Sequence, residues 1–346
     1  MVTRNNTVTK ENGNLLFPIP VDGIYAIAGI SKNSGKTAFL NYLSAQLETR
    51  KLGILTTGRD GEDKDVVFGN AKPAVRLNRG TLFTTLPEVL AKLGSAVKIL
   101  RKLPHTVAGK PLWLLEALRD LETEITGPST AAAQVQTAEY MQSLGAQTII
   151  IDGSLDRKSI ALHPRVAGVY LVAGGSFGTL DKIEDELDRL ISLAQLPIFQ
   201  DCNLLTAREF IQLRKKGNWQ KTELTSLLSN VPQLADLMGS LKPDGIYLPT
   251  ALTDNLITEL KPLLKGISDV VLRHPLLMHC SLPLLQSLAR THHLYCLRNF
   301  NLLALVLNSW SIQGNHLDSA AFRTAIRSKY PQMPVLDIYE QSFCQS

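Results

Sequence analysis

Apolar residues in this chain come mostly as short unbroken runs separated by amphipathic stretches. GIYAIAGI, residues 23–30, is apolar at nearly every position, the pattern of a strand buried on both faces of a parallel sheet. In TAFLNYLSAQLETRK, Phe39, Leu40, Leu43 and Leu47 recur at helical spacing, and Gly53 is placed just past the end as a stop signal. ILTTGRDGED resumes as a short strand entering a polar loop, which makes the whole a βαβ unit. PLWLLEA and LETEIT predict short strands, GPSTAAAQVQTAEYMQSLGA a loop and a helix, and QTIIIDGS and VAGVYLVAGGS two further buried strands. TLDKIEDELDRLISLA predicts an amphipathic helix with Leu180, Ile183, Leu187, Leu190 and Ile191 on its apolar side. After Pro197, PIFQ, DGIYLP, DVVLRH, HLYCL, LALVLN and MPVLDI read as strands, with helices between several of them.

The alternation of strands and helices predicts an α/β fold with a mostly parallel sheet and helices on both faces, extended by a second α/β half. Three regions follow: a polar N-terminal segment at 1–21, a first domain at 22–195, and a C-terminal α/β region at 196–346 that either stands alone or continues the same sheet. At 346 residues the chain has length for two domains. Apolar residues make up 45%, enough for a sizeable core, and the 19% charged residues argue against disorder. A net charge of +5 suits small anions and is too diffuse for a nucleic-acid surface, so no nucleic acid is expected. Cys202, Cys280, Cys296 and Cys344 are scattered without metal-type spacing, which favours buried thiols in a reducing compartment. The opening MVTRNNTVTKENGN has no apolar signal core and no run reaches a membrane span, so the expected location is cytoplasmic.

The chemistry concentrates in AGISKNSGKT, residues 28–37. A Walker A loop turns backbone N–H groups toward phosphates, its lysine reaches the β and γ oxygens, and its hydroxyl residue ligates Mg²⁺. Gly35, Lys36 and Thr37 fit this pattern, with Asn33 and Ser34 in the cradle. The first glycine departs from it: strict spacing falls on Ile30, and the chain offers Gly29. The strand before the loop and the helix after it make the sheet one of P-loop NTPase type, and the helix N-terminus favours an anion.

Phosphoryl transfer also needs carboxylates to hold the metal. TIIIDGS ends a buried strand in Asp152, a Walker B-type metal position, and Gly153 leaves room for a γ-phosphate. TTGRDGED supplies a second carboxylate, Asp60, with Glu62 and Asp63 as substitutes and Arg59 beside them. Lys36, Asp60 and Asp152 are the expected catalytic residues, and Thr37, Asp60 and Asp152 the expected metal set. In GSLDRKS, Asp156 and Arg157 stand either as γ-phosphate sensors or as a surface turn. In TGPST, Ser129 reads as a helix N-cap, with an anion site at Ser129 and Thr130 as the alternative. No Asn-Lys-x-Asp tetrapeptide marks GTP, and Asn308 closes the buried run LALVLN where an adenine contact or a turn asparagine would sit, so ATP is favoured over GTP. RKKGNWQK reads as a charged helix end beside an anchoring Trp. The histidines have no HExxH spacing, and no zinc site is expected.

GISKNSGKT resembles the loops of SIMIBI-class P-loop proteins. The early glycine is similar to that of dethiobiotin synthetases, and KNSGKT to the loop of molybdopterin-guanine dinucleotide accessory proteins. Lys32 stands near the signature lysine of ParA- and MinD-like ATPases, one residue closer to Lys36 than their pattern. Over about residues 22–340, GRDGED, TGPST, SLGAQTIIIDGSLDRKS, GVYLVAGGS, LPTALTD and LVLNSWSIQGNHLDSAAF occur in an order that resembles the reactivase (KamB-like) subunits of B12-dependent lysine aminomutase. That resemblance implies an ATP-dependent accessory factor acting with a MutS-like ATPase and an aminomutase. The SIMIBI likeness also implies a homodimer across the phosphate loop.

Three functions are consistent with these residues: a switch or chaperone-type NTPase, a small-molecule kinase or ligase of the dethiobiotin synthetase kind, and a nucleotide sensor that does not hydrolyse. The first is preferred, because the second half shows no catalytic constellation of its own.

Overall fold

The unbroken apolar runs become the inner strands of one sheet. The computed structural model describes residues 10–11, 14–15, 17–57, 74–154, 160–201, 203–310 and 317–340. The chain forms two units, one of residues 1–184 and 301–346, the other of residues 185–300.

In the first unit the strands are β1 (Gly23–Gly29), β2 (Leu52–Thr56), β3 (Leu82–Thr85), β4 (Val97–Val107), β5 (Lys110–Ala117), β6 (Thr148–Ser154), β7 (Val166–Gly174), β8 (Leu302–Asn308) and β9 (Val335–Asp337). They make a nine-stranded sheet in the order β9-β8-β7-β1-β6-β2-β3-β5-β4. From β9 to β3 every neighbouring pair is parallel, and β5 then runs antiparallel to both β3 and β4. The helices of this unit are α1 (Lys36–Gln46), α2 (Pro87–Leu93), α3 (Ala131–Ser143), α4 (Leu180–Ala194), which contains the boundary between the units, and α5 (Ser319–Lys329).

Both faces of the sheet are covered, which is why its central strands carry no polar alternation. Phe39, Leu40 and Leu43 of α1 share one core with Tyr25, Ile27, Ile150, Tyr170 and Val172, the alternate residues of three adjacent strands. On the other face Met141 of α3 packs over β2 and β6. A Cβ on Gly53 would lie 2.4 Å from Ile149 Cδ1 and 2.8 Å from Met141 Sδ. Gly53 is therefore a strand glycine that lets helix and sheet approach, not the helix stop expected of it. Helix α1 instead ends at Leu47, whose N–H bonds Leu43 O. Phe17 stacks against Tyr170 and meets the edge of Phe39, and the Tyr170 hydroxyl donates to Pro18 O, which ties the end of the N-terminal segment to this core.

The second unit has a five-stranded sheet. Gly245–Leu248, Asp269–Leu272 and His293–Cys296 run parallel, and the hairpin Gln212–Lys215/Asn218–Lys221 joins antiparallel at one edge. RKKGNWQK is that hairpin and not a helix end. Lys216 and Gly217 both take positive φ at its turn, as a two-residue hairpin loop requires. Trp219 is buried, with its indole N–H on Asp201. PIFQ contributes a single bridge, Ile198 to Cys296.

The division of the chain differs from the expected 22–195 and 196–346. The run LALVLN, as β8, pairs with β7 in the register Gly174 to Asn308, so residues 301–346 rejoin the first sheet. Cys280 and Cys296 are buried thiols, pushed up by burial to about 11 and about 12, while Cys202 and Cys344 lie outside the described residues. Among the described residues no helix is long and apolar enough to cross a membrane.

Candidate functional site

Strand β1 lies between β6 and β7, and its C-terminal end delivers the chain at Gly29 into the loop that opens α1. The Ile30 N–H continues the ladder onto Val172 O at 3.0 Å before the chain turns away. A Cβ on Gly29 would lie 2.1 Å from Ser34 Oγ and 3.1 Å from Lys36 Nζ. The loop thus folds back on its own first residue and brings the Lys36 ammonium to the β1 end. This contact accounts for a glycine at 29 rather than 30, because position 29 is where no side chain fits.

Two left-handed residues shape the rest of the turn. Asn33 has φ 60°, a conformation asparagine tolerates better than most side chains, and Gly35, the N-cap of α1, has φ 103°. The first N–H groups of an α-helix have no acceptor within the helix, so this end of α1 favours an anion. Lys36 and Thr37 begin the helix and are half-buried. Ser34 is fully buried, and its Oγ has no hydrogen-bond partner among the described residues.

The loop is supported from the adjoining strands β7 and β8. Asn308, at the end of β8, donates from Nδ2 to Ser34 O at 3.1 Å and accepts at Oδ1 from the Trp310 N–H at 3.2 Å. Its side chain also fills the space over Gly35, where a Cβ would lie 2.3 Å from Nδ2. Gly174, paired with Asn308 in register, lies against the other side of Ser34, with a Cβ there 2.6 Å from Ser34 O. Ser176 donates to Lys32 O at 3.3 Å, and Ser31 Oγ to the same carbonyl at 3.0 Å. The structure therefore places Asn308 beneath the loop with both ends of its amide in use. Gly174 and Ser176, in the run VAGGS, are loop supports that the sequence reading did not single out. The signal available was the paired glycine and serine straight after a buried strand.

Asp152 stands on β6, the neighbour of β1 on the opposite side from β7. It is opposite Ile27 of β1 and Thr56 of β2, and its carbonyl accepts from Thr57 N at 2.8 Å. Parallel neighbours are about 4.8 Å apart, so the carboxylate is held one strand away from the phosphate loop, and it is half-buried. Gly153 is closely covered: a Cβ on it would meet Thr57 Cγ2 at 3.0 Å. The start of α3 borders the same edge. Gly127 packs so tightly on β2 that a Cβ would lie 2.0 Å from Thr56 O, and the buried Gln134 donates to Pro128 O at 2.7 Å. The N-cap of α3 is Thr130, whose hydroxyl accepts from Ala133 N, and not Ser129, which is exposed.

The structure thus brings Asn33, Ser34, Gly35, Lys36 and Thr37 together in one turn, sets Asp152 and Gly153 on the adjacent strand, and puts Asn308 underneath. Asp60, with Arg59, Glu62 and Asp63, and Asp156 with Arg157, lie outside the described residues. Among the described residues, the loop thus gathers one ammonium, a hydroxyl and a helix N-terminus at the end of β1, and Asp152 stands on the neighbouring strand. Compared with protein-family models and with characterised protein sequences, the chain matches none.

Proposed function

We propose that the loop between β1 and α1 binds the phosphates of a nucleoside triphosphate with Mg²⁺, ATP ahead of GTP, and that the protein is an accessory or chaperone-type NTPase. The observation that carries this reading is the shape of the loop: the Lys36 ammonium is brought back to Gly29, and Gly35 opens α1 in the left-handed conformation. This cradle fits phosphate oxygens, and the residues around it fit the metal. Lys36 would neutralise the outer phosphate oxygens. The backbone N–H groups of Asn33 to Lys36 would receive the others. Thr37 and Asp152 would hold Mg²⁺, which supplies charge neutralisation on the phosphates when bound.

Connectivity supports the switch reading. Strands β2 and β6 end beside each other, the Thr57 N–H on Asp152 O, and in sequence the residues after β2 include Asp60. Segments anchored by a terminal phosphate are released when it is lost, and a partner protein can read the difference. The resemblance to reactivase subunits supplies the partner class: a MutS-like ATPase and a B12-dependent amino-acid aminomutase.

Calorimetric titration of ATP and GTP, with and without Mg²⁺, into the wild type and Lys36→Ala tests the site. The expected result is Mg²⁺-enhanced binding of ATP that is lost in the variant. Failure of both nucleotides to bind would overturn the proposal. Turnover then separates a switch from a sensor: slow hydrolysis abolished by Asp152→Asn is expected, and equal background rates in the two proteins would leave a binding-only sensor.

A further inference from the structure

The second unit carries a group of charges that the phosphate loop does not use. Its three parallel strands end at Leu248, Leu272 and Cys296, and the carboxyl edge of a parallel sheet is where α/β units place ligands. Arg273 follows Leu272 directly, and Arg298 follows Cys296 by two residues. The ladder extends past both strand ends: Arg273 N donates to Leu248 O at 3.3 Å and Leu297 N to Leu272 O at 2.9 Å. These bonds fix the two arginines at neighbouring positions on one edge. Arg208 joins them, because the buried Tyr247 hydroxyl donates to Arg208 O at 2.8 Å. All three arginines lie within electrostatic reach of that hydroxyl, as does Glu209, and Arg298, Arg273 and His279 lie within reach of the His274 ring.

Two polar atoms in this group are buried without a hydrogen-bond partner among the described residues, Arg208 Nη1 and His274 Nδ1. His274 is 7% exposed. Leaving such a group unsatisfied is costly, and more so for a charged one. Among the described residues no carboxylate lies within ion-pair distance of Arg208, Arg273 or Arg298. Arg214 of this unit is paired with Asp244 and Asp269, and Arg189 with Glu186, whereas Arg290 on the helix Leu282–Thr291 has no ion pair among the described residues either.

We propose that this edge of the second unit is a binding site for a phosphate-bearing small molecule, held by Arg208, Arg273 and Arg298 and oriented by His274. Three guanidiniums with no ion-pair partner among the described residues, Arg208 half-buried and Arg273 and Arg298 exposed, exceed what one carboxylate can neutralise. They match a phosphate dianion, whose oxygens accept several forked bonds at once. Burial and the neighbouring cations hold the His274 pKa down at about 4, so its ring is neutral at physiological pH and offers one N–H donor and one acceptor. The site lies wholly within residues 185–300 and does not rest on the nucleotide reading.

The test uses the full chain carrying Lys36→Ala, which weakens phosphate capture by the loop of the first unit. The His274 imidazole resonance, assigned by its loss in His274→Gln, is followed near neutral pH as inorganic phosphate, glycerol 1-phosphate or acetate is added at constant ionic strength. The expected result is a saturable shift with the phosphates, little response to acetate, and affinity at least about tenfold weaker in Arg273→Gln/Arg298→Gln. Tighter binding of the ester identifies an organic phosphate, and tighter binding of the free ion identifies phosphate itself; either supports the site. No saturable shift, an unchanged affinity in the double variant, or a stronger response to acetate would overturn it.

Discussion

At the scale of single residues, the phosphate loop is specified by atoms that leave no room. Gly29→Ala would place a methyl group 2.1 Å from Ser34 Oγ and 3.1 Å from the Lys36 ammonium. Gly174 and Asn308 hold the Ser34 backbone from two sides, so the added methyl must displace the Ser34 side chain or the Lys36 ammonium. The expected outcome is a folded protein whose ATP affinity falls at least about tenfold, measured by calorimetry and compared with thermal unfolding; a loop whose shape did not matter would bind unchanged. Asn308 offers a second residue-scale prediction. Asn308→Asp keeps the shape but faces Ser34 O with an acceptor in place of a donor, which costs about 1–3 kcal/mol of stability for a buried site. Chemical denaturation should show Asn308→Asp less stable than wild type. If the two were equal, Asn308 would not be a support of the loop.

Among the elements, the parallel strands form because their apolar runs are covered on both sides, whereas the edges need other devices. The hairpin at the edge of the second sheet is clamped by Arg214, which donates to Asp244, just before the next strand, and to Asp269 on the strand beyond it, each at 2.6 Å. For Asp244, burial opposes ionisation, but the Arg214 hydrogen bond, the Lys216 N–H and the Arg214 charge together outweigh it and hold its pKa below the usual carboxylate range. Arg214→Met removes one cation from two carboxylates and should lower stability by about 1–3 kcal/mol, read as a reduced urea midpoint. A midpoint equal to wild type would show that the clamp contributes nothing net. In sequence this element looks like a solvated helix end, because Lys215, Lys216 and Lys221 are charged and the signal for a turn is only the Lys-Gly pair at 216–217. The strand reading depends on the pairing with Gly245–Leu248, which lies far along the chain.

For the molecule as a whole, one buried histidine ties stability to pH. His274 in the second unit is held at about 4 against an ordinary value of 6.5, first by burial and then by Arg298, Arg273 and His279. Its folded pKa is depressed, so above about pH 6.5 the ring is neutral in both folded and unfolded chains and carries no pH dependence. As pH falls from about 6.5 to about 4, the unfolded chain takes up a proton that the folded one refuses. Stability then drops by up to about 1.4 kcal/mol per pH unit. Urea unfolding at several pH values in this window should show the slope, and His274→Gln should flatten it. An identical slope in the variant would assign the acid sensitivity to other groups.

What the sequence determined by itself is local: runs of apolar residues long enough for buried strands, helical spacing in α1 and α4, and the order Gly-Lys-Thr between a strand and a helix. Those features depend on neighbours a few residues apart, and they held at GIYAIAGI, TAFLNYL, TIIIDGS and GVYLVAG. Tertiary structure decided what depends on residues distant in the chain. It made Gly53 a packing glycine under Met141 and sent residues 301–346 back to the first sheet. It also set Asn308 and Gly174 beneath Ser34, and it gathered Arg208, Arg273 and Arg298 at one strand edge. The physical reason is that strand order is fixed by hydrogen-bond ladders and burial between segments remote in sequence, and no periodicity along the chain records which two buried strands become neighbours.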